Sequence, residues 1–86
     1  MSAFEKLKTK FMQQPVLNNI TAEEVKSFLK HYGFIEKHIN GSHFIYGYMN
    51  DSREIMLNIP MHSPIKPTYI KHIRKAILEI EGGNDE

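Results

Sequence analysis

Residues 34–48 read Phe-Ile-Glu-Lys-His-Ile-Asn-Gly-Ser-His-Phe-Ile-Tyr-Gly-Tyr, which spells a β-hairpin. β-Branched and aromatic side chains over Phe34–Ile39 favour a strand. Asn40-Gly41 supplies a two-residue turn, because both residue types tolerate positive φ. Ser42–Tyr48 then alternates, with Phe44, Tyr46 and Tyr48 on one face and His43 and Ile45 on the other. Downstream, Asn50-Asp51-Ser52 makes a second turn and Glu54–Ile59 alternates again around Ile55, Leu57 and Ile59, until Pro60 ends the strand. The centre of the chain is therefore a three-stranded antiparallel meander, which needs helices to cover one face.

Helices flank it on both sides. Thr21 and Glu24 have capping-box spacing, Val25, Phe28, Leu29 and Tyr32 line one helical face, and Gly33 suits a left-handed C-terminal cap. After a linker over Met61–Lys66, Pro67 begins a last helix whose buried stripe is Ile70, Ile73, Ile77 and Ile80, with Lys71, Arg74 and Lys75 opposite. Gly82-Gly83 ends it, and residues 82–86 read as a frayed acidic tail. Ahead of this core, residues 2–14 form a short amphipathic helix on Phe4, Leu7 and Phe11, with Ser2 and Glu5 at capping-box spacing. Pro15 stops that helix, and residues 16–19 connect it to the core. The fold class is α+β, with one domain over 1–86: an N-terminal helical extension and connector (1–19), a core (20–81) and the tail (82–86).

Composition narrows the function. The 86 residues are 41% hydrophobic and 24% charged, a globular balance. The 11 Lys+Arg nearly match the 10 Asp+Glu. However, Glu79, Glu81, Asp85 and Glu86 fall in the last eight residues, where there is no Lys or Arg, so residues 1–78 are basic. That permits a nucleic-acid partner. No cysteine is present, which excludes disulfides, thiolate metal sites and cysteine nucleophiles. No apolar run reaches membrane-spanning length and no secretory leader is seen, so a cytoplasmic protein is expected.

Five histidines are the most unusual feature. His31, His38 and His72 lie among polar neighbours and read as solvated surface, and His62 sits in the proline-bounded loop. His43 differs: it projects from the start of a strand just after a tight turn, and imidazole both takes and gives protons near neutrality. His38, His43 and His62 match no standard ligand spacing and have no carboxylate placed with them, so neither metal nor cofactor is expected. Ser42 and His43 are not a nucleophile–base pair, since adjacent strand residues point to opposite faces. The Phe44/Tyr46/Tyr48 and Ile55/Leu57/Ile59 sets read as competing for helix cover, one as core and the other as a partly open docking face.

Tyr32-Gly33-Phe34, then Gly41-Ser42-His43 with Tyr46, then Ile59-Pro60-Met61-His62, then Lys66-Pro67-Thr68 opening a helix: this ordered set resembles the HicA toxin family over about Ile20 to Ile80. The resemblance implies a double-stranded-RNA-binding-domain-like α-β-β-β-α fold, and an mRNA interferase whose motif histidine, here His43, is catalytic. It also implies a HicB-type antitoxin that covers the active surface. Gly41, Ser42, Lys37, Lys66 and Lys71 are then the candidates for holding substrate, with His62 as an auxiliary. RNA carries its own 2′-hydroxyl nucleophile, so DNA is not expected as a substrate or direct ligand of this chain. The alternative readings are a non-catalytic double-stranded-RNA-binding module and a pure antitoxin-binding module.

Overall fold

The alternating segments pair in the order they occur. A computed structural model describes residues 3–13 and 15–82. Its elements are α1 (Ala3–Met12), α2 (Ala22–Tyr32), β1 (Ile35–Asn40), β2 (His43–Asn50), β3 (Arg53–Pro60) and α3 (Pro67–Ile80). The strands form one antiparallel sheet in the order β1-β2-β3, so β2 is central and β3 is an edge. This is an α+β protein with the α-β-β-β-α order of the double-stranded-RNA-binding-domain-like fold, preceded by α1. Among the described residues no helix is long and apolar enough to cross a membrane.

Local chemistry explains where α2 begins and ends. The Thr21 hydroxyl accepts from the Glu24 amide at 3.2 Å, and the Glu24 carboxylate accepts from the Thr21 amide at 2.9 Å. This reciprocal cap satisfies two donors that the first turn leaves without partners. At the other end Gly33 adopts φ +94°, and the Phe34 amide reaches back to the Leu29 carbonyl at 3.0 Å, closing the helix. The proposed Ser2 cap of α1 and the tail from Gly83 onward lie outside the described residues.

Register corrects one expectation about the sheet. Phe44 pairs with Ile59, Tyr46 with Leu57 and Tyr48 with Ile55. Directly opposed residues share a face, so the two apolar sets are one surface and do not compete. Phe28, Leu29, Ile70, Ile73 and Ile77, all buried, pack with that surface into a core that α1 extends with Phe11. Each such burial contributes about 1.5–3 kcal/mol, which makes the helix-covered face strongly specified. The other face stays open, and its exposed apolar side chains are Ile35 (66%), Met49 (61%) and Met56 (51%).

The hairpin turn is one residue later than the sequence suggested. Asn40 still pairs with His43, leaving Gly41-Ser42 as the two-residue loop. Gly41 takes φ +64° while Ser42 does not turn positive. That sign pattern belongs to a type II′ turn, which places glycine first, and not to the type I′ turn that Asn-Gly favours. As a result β2 starts at His43 itself.

Candidate functional site

His43 heads the central strand, with Asn40 of β1 opposite it on one side and Pro60 of β3 on the other. A strand residue held from both sides is a better-defined platform than a loop. The Ser42 carbonyl accepts from the Met61 amide at 2.7 Å, tying the turn to the end of β3. Because Tyr46 is buried in the core, alternation sends the His43 side chain to the open face, where it is exposed. The cross-strand and diagonal ladder positions around it are Asn40, His38, Pro60 and Asn58. None of these positions holds a carboxylate. Among the described residues no three His, Asp or Glu side chains converge as a metal site.

Past Pro60 the chain is fastened to α2 before it enters α3. The Ser63 hydroxyl accepts from the Ala22 amide at 2.8 Å, and the Ile65 amide donates to the Ile20 carbonyl at 2.8 Å. These bonds fix the loop on which His62 and Lys66 sit. Pro60, His62, Pro64, Lys66 and Tyr69 wall a cleft of about 130 Å³. Pro60 is also the register partner of His43, so one wall of the cleft stands one cross-strand step from His43, about 5 Å between Cα atoms.

The remaining sequence candidates are distributed differently. Gly41 and Ser42 form the turn beneath His43, and Ser42 already uses its carbonyl. Lys37 sits at the β-bulge between Glu36 and His38 and pairs with Glu54 at 3.1 Å. The bridge crosses over Gly47, where an added Cβ meets the Glu54 carboxylate at 2.7 Å and Lys37 Cε at 3.2 Å. Gly47 is four positions along β2 from His43, roughly 13 Å away. The structure therefore brings Lys66 and His62 to the cleft beside His43, and leaves Lys37 apart with its charge met. Lys71 is exposed on α3 and lines neither this cleft nor the groove next to it.

That groove was not foreseen. It lies between β3 and α3, measures about 390 Å³, and is lined by Ile55–Asn58 together with Tyr69, His72, Lys75, Ala76 and Glu79. Tyr69, His72, Ala76 and Glu79 follow helical spacing beside the isoleucine stripe. Tyr69 and His72, one turn apart on α3 beside that stripe, were the available signal.

A small α+β protein of the double-stranded-RNA-binding-domain-like class, presenting one histidine at the head of its central strand, is what fold and site together define. The family model described as the HicA toxin of bacterial toxin–antitoxin systems matches residues 22–78, most of the chain. The chain belongs to that toxin family, and a toxin of such a system has a cognate antitoxin. The match covers α2 through most of α3 and excludes α1. No curated protein and no solved structure matches the chain.

Proposed function

We propose that this toxin is a metal-independent endoribonuclease that cleaves mRNA, with His43 as its catalytic residue and a HicB-type antitoxin as its partner. The observation that carries the reading is the position of His43: exposed, at the head of the central strand, and next to a cleft carrying Lys66 and His62. In RNA the 2′-hydroxyl attacks the adjacent phosphorus while the bond to the 5′-oxygen of the next nucleotide breaks. One proton leaves the 2′-oxygen and one is delivered to the departing 5′-oxygen. The products are a 2′,3′-cyclic phosphate and a 5′-hydroxyl end. His43 carries one of these transfers, worth about 10²–10⁴-fold, and His62 or water carries the other. Lys66 holds the phosphate charge. DNA lacks the nucleophile and is not cut.

The open face fits control by the antitoxin. Ile35, Met49 and Met56 share that face with His43, so a partner that buries the apolar side chains also covers the imidazole. Expression of the parent and of His43→Ala without a partner tests the reading. The parent is expected to arrest growth and fragment RNA in the presence of EDTA, and the folded variant to do neither. A folded His43→Ala protein that still degrades RNA at the parental rate overturns it. A variant that binds RNA as tightly as a parent that never cleaves points to a binding module.

A further inference from the structure

Two clefts meet at Tyr69. It walls the small cleft beside His43 and also lines the long groove between β3 and α3. The small cleft, about 130 Å³, approaches the roughly 150 Å³ that accommodates one benzene ring. Its walls are an aromatic ring and two prolines, surfaces that suit a flat apolar ring. Lys66 stands on the near side of Tyr69 and Lys75 on the far side. Among the described residues neither lysine has an ion-pair partner. Glu79 is the one carboxylate lining either cleft, and it is paired with Arg53 at the groove's far end.

The cleft at the opposite edge of the sheet provides a comparison. It contains Lys26, Lys30 and Tyr46, but it also contains Glu36 and opens at Ile35. Ile35 is five positions along β1 from Asn40, the residue paired with His43, or about 16 Å. Of these two sides, the Tyr69 side is the one whose cleft includes Pro60, the register partner of His43.

We propose that the single-stranded RNA substrate passes from His43 over Pro60 into the small cleft and on along the β3–α3 groove, with one base stacked on Tyr69 and phosphates on Lys66 and Lys75. A cationic track interrupted by an aromatic platform is how single-stranded nucleic acid is held without base-edge readout. This path rests on the ribonuclease reading above and adds a binding surface between β3 and α3. The path shares Met56 with the apolar face offered to the antitoxin, so RNA and the protein partner compete for that edge of the sheet.

The test uses the full chain and a mixed-sequence single-stranded oligonucleotide carrying 2′-O-methyl groups throughout, which has no nucleophile and survives binding measurements. Fluorescence anisotropy is expected to show Tyr69→Leu binding about 5- to 150-fold more weakly, with Tyr69→Phe like the parent. Lys66→Gln and Lys75→Gln, both at exposed positions, should each lower the salt slope of log affinity by about 0.7, while Lys30→Gln leaves it unchanged. Parental affinity and slope in folded Tyr69→Leu and Lys75→Gln overturn the path. If Tyr69→Leu does not fold, the two lysine variants decide the question. Variants that lose antitoxin binding but keep parental RNA binding make the groove a protein-docking surface and also overturn it. Unmodified RNA separates the two levels. A parent that does not cut it sinks the ribonuclease reading, whereas a parent that cuts it with unaltered variants sinks only the path.

Discussion

Phe11 of α1 stacks on Phe28 of α2 with ring centroids 4.1 Å apart and planes 9° from parallel. Both side chains are fully buried. Phe4 adds a second stack on Phe28 at 5.8 Å and an edge contact with Tyr32 at 5.4 Å. The N-terminal helix is thus an integral wall of the core, although the family match begins after it.

Phe11→Ala is therefore expected to destabilise the protein by about 3–5 kcal/mol, the cost of emptying a buried aromatic site. Urea unfolding followed by circular dichroism measures it. A loss below about 1 kcal/mol means that α1 is not packed as described.

Acid should loosen the same helix. Two ion pairs fasten α1: Lys10 to Glu24 at 2.7 Å and Lys8 to Glu81 at 2.7 Å. The hydrogen bond from Lys10 is the main cause holding the Glu24 carboxyl below its usual 4.5, and the bond from Lys8 does the same for Glu81. A carboxyl depressed in the folded state contributes stability that is present above 4.5 and is lost as pH falls through the folded value. The four side chains stay between 26% and 38% exposed, so solvent screening keeps each pair to about 1 kcal/mol or less. The urea midpoint is expected to fall between pH 5 and pH 3, and to fall less in Glu24→Gln/Glu81→Gln. Equal acid sensitivity in that double variant counts against the two pairs.

The two glycines of the hairpin should lose stability to a methyl group for different reasons and by different amounts. Gly41 has φ +64° with no atom within 4 Å of an added Cβ, so the cost of Gly41→Ala is purely one of backbone conformation, about 1–2 kcal/mol. Because that turn sets the start of β2, cleavage should drop as well. At Gly47 an added Cβ meets the flexible ends of Lys37 and Glu54, and Gly47→Ala forfeits at most a surface ion pair, about 1 kcal/mol or less. Thermal melts of the two variants read the difference, and a larger loss at Gly47 reverses the assignment.

Features set by neighbouring residues were legible from sequence. The Thr21–Glu24 cap, the Gly33 terminator, the Pro67 start of α3 and the isoleucine stripe all follow from spacings of one to four residues. The exposure of His43 followed from alternation alone. What failed depended on geometry that spacing does not carry. A one-residue displacement of the turn came from glycine taking the first loop position. The merging of the two apolar strand faces came from Asn50 pairing with Arg53 around the Asp51-Ser52 turn, which brings Tyr48 opposite Ile55. Tyr69 was passed over because its significance comes from Pro60 and Pro64, brought beside it by the loop fastened to α2. The Lys37–Glu54 bridge was invisible for the same reason, since it spans three strands.

The contact between Lys8 and Glu81 joins positions 73 residues apart in the chain. Closing so long a loop carries the largest entropic penalty of any contact described, so this clasp is expected to form late in folding. During synthesis α1 has no Glu81 to grip until the ribosome has added residue 81. The finished structure is thus sealed only after translation has passed that point.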